Sequence, residues 1–599
     1  MLRLYTLLVL VALTCALNLT YDYIIVGGGL TGLVVANHLS ENPNKTVLVI
    51  ENGYIDDSFD RQAPYLSGVL NRDPPLYKSL ISTPDPELGN HSFSVAVGNV
   101  LGGGSVVHGM MLDRGSDADY DAWAELGNVG WGWDGLEAYF KKPFTFTAPS
   151  TETVEELGIM YDESVYGDGL FPDYVRVFAA WKSESGVPKP KEGFARPLGA
   201  FWAPNTVDNR TGTRSSAKTA YYDPVKLTAD LKLLVGTHVD EILLAESNGA
   251  VKATGVRMTQ RNASDVSHAF ASLEVILAAG SIFTPHLLRV SGIGPADVLQ
   301  AANIPVKVDL PGVGSNLQEH IPAYTSFNVS NLAFPNANTL ATNPSFNASA
   351  EEQYAQHRTG PWATTYCNAL AFIPLAHFAP RSSALATELE AQQPTAYLPS
   401  RYTTTPTILA GYLRQRSILL HQFRGDQNYS AGAGELPTQP SGRASAALQK
   451  PLSRGTVTLN ATDPHGYPVV TYHSLQNPVD KAILCDLIRF NRRQWASPAL
   501  AHYAPVENVP GAEFVADDAI IEALVAKDVI KPAFAHPSGS CEMMLQELGG
   551  CVSNGLLVYV VRGLSIVDAS ILPMIPATHL QATMYAIAEK AADIIKDRR

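Results

Sequence analysis

The chain has 599 residues, a hydrophobic content of 46%, a charged content of 17% and a net charge of −14. This composition is typical of a globular protein with more than one core and excludes a disordered chain. The acidic balance argues against nucleic acid as a partner, because binding phosphates requires a basic surface.

The first predicted element is a secretory signal peptide at residues 1–16. Arg3 supplies a positive charge, residues 7–13 form an apolar run, and Thr14 and Ala16 are small enough for cleavage after Ala16. The apolar run is shorter than the ~20 residues that a membrane span needs, and no later run is long enough. We therefore predict a secreted protein without a membrane span, with an uncleaved N-terminal helix as the alternative.

Glycosylation signals support export. The Asn-x-Ser/Thr sequons, which accept N-glycans in secreted proteins, begin at Asn18, Asn44, Asn90, Asn209, Asn262, Asn328, Asn347, Asn428 and Asn460. The cysteines beyond the signal peptide are Cys367, Cys485, Cys541 and Cys551. They are too few for a disulfide framework; they allow one or two bridges, whose pairing cannot be read from the sequence. No Cys-x-x-Cys or His-x-x-x-His pattern indicates a metal site.

A dinucleotide-binding fingerprint follows the signal peptide. A predicted strand at residues 22–26 leads into Gly27-Gly28-Gly29-Leu30-Thr31-Gly32, and a helix and a second strand at residues 46–50 come next. Gly27 permits the tight turn, Gly29 lets the backbone approach a pyrophosphate, and Gly32 allows close packing of helix and strand. Leu30 and Thr31 open the helix, whose N-terminus favours phosphate. Glu51, 19 residues beyond Gly32, is positioned to accept hydrogen bonds from an adenosine ribose.

The rest of the chain alternates between predicted strands and less regular segments. A second Gly-rich segment spans residues 101–105, and strands are predicted at residues 231–235, 239–244 and 274–278. Residues 321–440 have weak periodicity, which suits a second domain with long loops. The last predicted elements are strands at residues 456–459, 468–472 and 565–568, and a helix from about residue 580 to 596 with an apolar stripe.

Together these blocks resemble the glucose-methanol-choline (GMC) oxidoreductases, a family of FAD-dependent alcohol oxidases and dehydrogenases. The resemblance rests on the fingerprint, on residues 98–105 with 113–115, 212–217, 279–294 and 312–320, and on two C-terminal segments holding His536 and His579. The best local similarity is to secreted fungal members related to aryl-alcohol oxidase and glucose oxidase.

The resemblance implies an α/β fold of two discontinuous domains. A Rossmann-like FAD-binding domain is expected at residues 20–145, 205–320 and 537–599. An α+β substrate-binding domain built on an antiparallel sheet is expected at residues 146–204 and 321–536.

The resemblance also assigns the chemistry. His536 is expected to be the general base, and His579, 43 residues later as in relatives, to hold the substrate oxygen and stabilise the alkoxide. Histidine suits both tasks because its ordinary pKa, ~6.5, lies near working pH. His320, in another matched block, is expected to be structural.

Further FAD contacts are expected at Leu101, Gly103, Ser105, His108, Gly109, Val239, Asp568, Ala569, His579 and Gln581. Many relatives carry Asn where this chain has His108, and members with covalent FAD carry His where it has Val107, so non-covalent FAD is expected. For two of these residues there is an alternative interpretation: Asp568 caps the turn that follows it, and Val239 is an ordinary strand residue. The helix after His579 is expected to point its positive N-terminus at the flavin.

We therefore predict oxidation of an alcohol, an aryl alcohol rather than a sugar, with proton abstraction, hydride transfer to flavin N5, and oxygen or a quinone as acceptor. One alternative is a non-redox cyclase or lyase on the same flavin scaffold, and another is a flavin-binding protein without catalysis. Tyr366, Tyr402 and Tyr412 are candidates for the access channel, although core packing suits each of them better.

Overall fold

The computed structural model describes residues 19–68, 77–144, 186–190, 193–228, 230–261, 266–336, 338–365, 368–437, 439 and 441–598. Several sequence-based predictions lie outside these residues: the signal peptide at 1–16, the sequons at Asn18 and Asn262, Tyr366, Cys367 and most of residues 146–204.

A mixed β-sheet forms around the fingerprint. Its central strand, Leu19–Val26, pairs in parallel with Val266–Leu277 on one side and with Val47–Ile50 on the other. The apolar ends of these strands are buried on both faces, as expected for a parallel sheet covered on both sides. The remaining strands of the sheet are Leu231–Leu234, Thr237–Ser247, Ala250–Gln260, Val561–Arg562 and Leu564–Ile566.

A second sheet is antiparallel throughout. In spatial order its strands are Val506–Val509, Ile321–Asn328, Arg443–Leu448, Gly434–Pro437, Ala369–Ile373 and Gly199–Trp202. Every residue of Gly434–Pro437 is buried, including the acidic side chain of Glu435.

Helices cover the sheets and connect them. The α-helices are Leu30–Leu39, Phe59–Gln62, Gly104–Val107, Asp117–Glu125, Trp133–Lys141, Gly280–Val290, Ala296–Ala301, Thr339–Thr342, Pro344–His357, Leu375–Phe378, Ser382–Ala391, Ser400–Thr404, Pro406–Arg424, Pro478–Trp495, Asp517–Ala526 and Gln581–Asp597. Short antiparallel pairs join Tyr77–Ile81 to Ser94–Gly98, Val207–Asp208 to Thr213–Arg214, and Thr456–Thr458 to Val469–Thr471. A short parallel pair joins Ile293–Gly294 to Val308–Asp309.

These elements confirm the predicted α/β fold with a Rossmann-like first sheet and an antiparallel second sheet. The positions of the domain boundaries stay predictions. The apolar stripe of Gln581–Asp597 is buried, as its spacing predicted. The helices between residues 339 and 424 were not predicted, because their apolar residues follow the helical period only weakly.

Within the described ranges, no helix combines the length and apolar character that a membrane span requires. The described cysteines, Cys485, Cys541 and Cys551, are buried free thiols. Tyr402 and Tyr412 pack against each other in a buried cluster, with ring centroids 5.8 Å apart, so both serve as core residues.

Candidate active site

A cavity of about 1300 Å³ is lined by residues of both sheets. The sequence-predicted site residues that line it are Gly27, Gly29, Leu30, Thr31, Glu51, Gly103, Ser105, His108, Gly109, Val239, His536, Asp568, Ala569, His579 and Gln581. Gly32 and Leu101 are not among its lining residues. Leu101 is fully buried, and its side chain lies 2.8 Å from where a Cβ on Gly28 would be, so it supports the fingerprint turn from behind.

The fingerprint glycines have different physical tasks. Gly27 has φ +108°, and a Cβ there would lie 2.4 Å from the Ala278 carbonyl oxygen. A Cβ on Gly32 would lie 2.1 Å from the carbonyl oxygen of Gly27. A Cβ on Gly29, in contrast, would meet only the Ala278 oxygen at 3.9 Å. Gly27 and Gly32 are therefore required by the packing of the protein itself, whereas the surface at Gly29 is open toward the cavity.

Two buried carboxylates organise the loops around this part of the cavity. Glu51 accepts hydrogen bonds from the backbone N–H groups of Gly28 at 2.8 Å and Gly53 at 2.6 Å. Asp568 accepts hydrogen bonds from the Gly280 N–H at 3.0 Å, the Thr284 hydroxyl at 2.6 Å and the Ser570 N–H at 2.9 Å. Asp568 thus caps the turn that follows it and also binds the start of the helix Gly280–Val290. Carboxylate oxygens have further lone pairs, so Glu51 can accept hydrogen bonds from a ribose in addition to these.

The cavity fits a large polar cofactor. The helix Leu30–Leu39 points its N-terminus at it, and the capping residue Gly29 provides no side chain to satisfy the first N–H groups. The buried Ser281 Oγ on the cavity lining makes no hydrogen bond, and His108 Nε2 and both amide atoms of Gln581 make none of normal geometry. Such atoms are normally satisfied in a native protein. The volume exceeds that of ordinary ligand pockets, which leaves room for a dinucleotide and a substrate.

His536 and His579, the two predicted catalytic residues, lie side by side in the cavity. Their ring centroids are 5.4 Å apart and their planes stand at 90°. The Phe534 ring lies near both of them, at 5.5 Å from His536 and 6.3 Å from His579. The tertiary structure therefore brings the predicted pair together beside an aromatic surface.

His579 is surrounded by acidic side chains. Its Nδ1 lies 2.6 Å from Asp113 Oδ2, and its backbone N–H donates to Asp113 Oδ1 at 2.8 Å. Its Nε2 lies 3.6 Å from Glu435 Oε1. Burial opposes the charged form of His579, but the attraction of Asp113 and then of Glu435 outweighs it and raises the pKa to about 9. His579 is therefore an imidazolium at neutral pH.

Glu435 is a site residue that the sequence analysis missed. It is fully buried, and burial, partly offset by the charge of His579, raises its pKa to about 7. Its Oε2 accepts a hydrogen bond from Gln449 at 2.8 Å, while Oε1 makes none. The available signal was a single acidic residue among apolar neighbours in the segment 434–437. Asp113 belonged to a recognised block, but nothing local indicated that it would reach His579.

His536 has different surroundings. Its backbone N–H donates to both carboxyl oxygens of Glu319, at 2.8 and 3.0 Å, and its Nδ1 lies 2.9 Å from Nδ1 of His320. Burial, followed by the positive charge of His579, holds the pKa of His536 well below its usual value of 6.5. His536 is therefore neutral where His579 is charged. Groups with pKa values pushed apart in this way are suited to separate acid and base roles.

His108 is a neutral histidine near this pair. The Met110 N–H donates to its Nδ1 at 2.9 Å, so the ring proton is on Nε2. Burial, followed by the charge of Arg214, lowers the pKa of His108 well below 6.5. His108 thus offers an N–H donor without a net charge.

A buried ion pair supports the loop that carries His579. Lys450 pairs with Asp119 and donates a hydrogen bond to the Ile575 carbonyl at 2.9 Å. Asp119 also accepts a hydrogen bond from the Ala577 N–H at 3.2 Å. No group of three or more His, Cys, Asp or Glu side chains suited to a metal ion occurs among the residues with described positions.

Two family models, both described as GMC oxidoreductase, match the chain, the N-terminal one over residues 21–322 and the C-terminal one over residues 451–588. The dehydrogenase xptC of Emericella nidulans is 36% identical over 96% of this chain and 93% of its own. A dehydrogenase of Armillaria gallica is 33% identical over 96% of this chain and 93% of its own.

Solved structures agree with these matches. An FAD-dependent oxidoreductase from Chaetomium thermophilum superposes with a TM-score of 0.90 at 34% identity, covering 96% of this chain and 99% of that one. A structure described as a new fungal aryl-alcohol oxidase superposes with a TM-score of 0.88 at 33% identity, with the same coverage of 96% and 99%.

Proposed function

This chain belongs to the GMC oxidoreductase family and is an FAD-dependent oxidoreductase; from that premise we propose that it oxidises an aryl alcohol with His536 as the base. The observation that carries the proposal is the placement of His536 and His579 side by side in the cavity, with ring centroids 5.4 Å apart. Burial lowers the pKa of His536, whereas Asp113 and Glu435 raise that of His579. An alcohol oxygen between them meets a proton acceptor on one side and a cationic N–H donor on the other.

The protein contributes positioning and proton transfer. His536 takes the hydroxyl proton as the C–H bond of the same carbon breaks, and His579 stabilises the developing alkoxide by its charge and its N–H. Asp113 holds the His579 ring through Nδ1 and keeps it protonated. Acceptance of the hydride at N5 is the chemistry that FAD supplies when bound.

The residues that would hold FAD follow from the cavity. Gly29 and the N-terminus of Leu30–Leu39 would face the pyrophosphate, and Glu51 the ribose. His108 and Gln581 have buried polar atoms that make no hydrogen bond of normal geometry, and both would face the flavin. Because Val107 stands where covalent members have histidine, attachment without a covalent bond is proposed. Yellow colour released into the supernatant on acid precipitation would support it, whereas colour retained in the pellet would contradict it.

An aryl substrate is favoured over a sugar. Phe534 presents an aromatic ring beside both histidines, and Met111 and Pro437 add apolar side chains to the lining of the cavity. Aromatic rings pack favourably in offset or edge-on arrangements at such distances. The aryl-alcohol oxidase similarity supports the same choice.

The decisive experiment is anaerobic titration of the purified yellow protein with aryl alcohols, aliphatic alcohols and sugars. Bleaching of the flavin by an aryl alcohol is expected, and mixing the reduced protein with oxygen or a quinone then identifies the acceptor. Turnover without bleaching would instead support the cyclase or lyase alternative. Absence of both bleaching and turnover across the panel would contradict alcohol oxidation.

Secretion and glycosylation are also proposed. The described sequon asparagines that are exposed are Asn44, Asn90, Asn209, Asn328 and Asn428. The mature protein is expected in the medium with Leu17 at its N-terminus and with a mass that falls after N-glycosidase treatment. An intact Met1 in cell-bound protein would contradict this.

A further inference from the structure

A second histidine, His320, contacts the candidate base His536. His320 Nδ1 lies 2.9 Å from His536 Nδ1, and the two rings meet edge-on, with centroids 5.1 Å apart and planes at 86°. His320 is fully buried, whereas His536 lines the cavity. Because Nδ1 of His536 is engaged by His320, Nε2 is the nitrogen left to act in the cavity.

The location of one proton decides what His536 can do. A hydrogen bond between two neutral imidazoles uses a single proton, which is held by one Nδ1 or the other. If His320 holds it, His536 carries its own ring proton on Nε2 and has no lone pair for an alcohol. If His536 holds it, Nε2 of His536 is free to accept a proton.

The proposed role of His536 requires the second arrangement. A base must present a lone pair to the alcohol hydroxyl, and Nδ1 of His536 is already engaged by His320 at 2.9 Å. Nε2 of His536 is therefore the accepting nitrogen, and the shared proton is on Nδ1 of His536. Nδ1 of neutral His320 accepts that proton, and His320 carries its own ring proton on Nε2.

We propose that His320 is a positioning residue that sets the tautomer of His536, accepting its Nδ1 proton so that Nε2 presents a lone pair to the substrate. This inference deepens the proposed function and rests on it. When the alcohol O–H breaks and Nε2 of His536 gains the proton, the Nδ1–H bond to His320 becomes charge-assisted and stronger. The positive charge stays on His536, because burial, followed by the charges of His536 itself and of Lys450, disfavours a charge on His320.

Two substitutions in the FAD-loaded protein separate this role from packing. His320→Leu fills the space but cannot accept a proton, whereas His320→Gln offers a carbonyl oxygen. With an alcohol that bleaches the wild type, His320→Leu is expected to slow flavin reduction at saturating substrate by about 10- to 100-fold. Its apparent Kd for the alcohol should stay unchanged, because His320 does not touch substrate. His320→Gln should recover most of the rate, and its pH profile should keep the wild-type form.

A wild-type rate in His320→Leu, or equal losses in the Leu and Gln variants, would overturn the proposal.

A second measurement does not depend on folding of any His320 variant. In wild-type protein labelled with nitrogen-15 histidine, NMR reports which ring nitrogens carry protons, and loss of signals in His536→Ala assigns those of His536. A protonated Nδ1 and a bare Nε2 are expected, and the reverse tautomer would refute the inference. If the expected tautomer is found but no alcohol bleaches the flavin, the proposed function fails while this pairing stands.

Discussion

Asp113 and His579 are 466 positions apart in the chain, yet Asp113 Oδ2 lies 2.6 Å from His579 Nδ1. Asp113 is fully buried and also accepts the His579 backbone N–H. A carboxylate placed in this way fixes the orientation of the imidazole and favours its charged form. The charge state of His579 is therefore set by a residue from the opposite end of the sequence.

The rate of flavin reduction is expected to depend on pH in a defined direction. The charged form of His579 is present below its pKa of about 9 and is lost as the pH rises through that value. The neutral form of His536 is lost only as the pH falls below a pKa that lies well under 6.5. Anaerobic stopped-flow measurements should therefore show a plateau through neutral pH and a decline near pH 9. A rate that increases through pH 9 would contradict the role of His579.

Asp113→Asn and Glu435→Gln should each lower the pH at which the flavin-reduction rate declines, by different amounts. Each amide removes one negative charge beside His579 without changing the size of the side chain. The pKa of His579 should fall by about 1–3 units without Asp113. The shift without Glu435 should be smaller, because its oxygen is 3.6 Å from Nε2 and makes no hydrogen bond. If the rate of flavin reduction declined at the same alkaline pH in both variants and in the wild type, neither carboxylate would act on the titrating group.

His536→Ala should slow flavin reduction by at least ~100-fold if His536 is the base. The yellow spectrum and the melting temperature are expected to stay near wild type, because the ring lies in the cavity rather than in the core. His91→Ala, at an exposed histidine, provides the control and should leave the rate unchanged. Near-normal reduction in His536→Ala would remove the assignment.

Gly29→Ala should impair FAD binding, whereas Gly32→Ala should impair the stability of the protein. A Cβ on Gly29 meets no atom closer than 3.9 Å, so the protein should fold but bind FAD at least ~10-fold more weakly. A Cβ on Gly32 would lie 2.1 Å from the Gly27 carbonyl oxygen, so that variant should lose stability itself. Circular dichroism, thermal unfolding and FAD titration of the apoprotein distinguish the two. A yellow Gly29→Ala protein with wild-type affinity would refute the pyrophosphate contact.

Lys450→Met should destabilise the protein through Asp119. The pair is fully buried, and removing one partner from a buried ion pair typically costs about 3–5 kcal/mol. The Ile575 carbonyl loses its hydrogen-bond donor at the same time. Lys232→Met, at an exposed strand position, is the matched control. Denaturant unfolding followed by flavin fluorescence should show a lower midpoint for Lys450→Met only.

Much of the fold could be predicted from the sequence, because those elements are determined by residues that are close together in the chain. The spacing of Gly27, Gly29 and Gly32 identified the first βαβ unit, and the close approach of carbonyl oxygens to Gly27 and Gly32 gives the physical reason for two of them. The apolar stripe of Gln581–Asp597 predicted its buried face. The helices Pro344–His357 and Pro406–Arg424 escaped prediction, because packing against the rest of the protein, rather than a clear periodic pattern, decides which side is buried.

For the site, the sequence by itself determined which side chains are available: the glycines of the fingerprint and the two histidines 43 residues apart. Only the tertiary structure decided their protonation. Asp113 and Glu435 favour the charged form of His579, while burial and the positive charge of His579 favour the neutral form of His536, and none of these partners is near its histidine in the chain. A pKa depends on desolvation and on charges a few ångströms away in space, and neither quantity is written in the local order of residues.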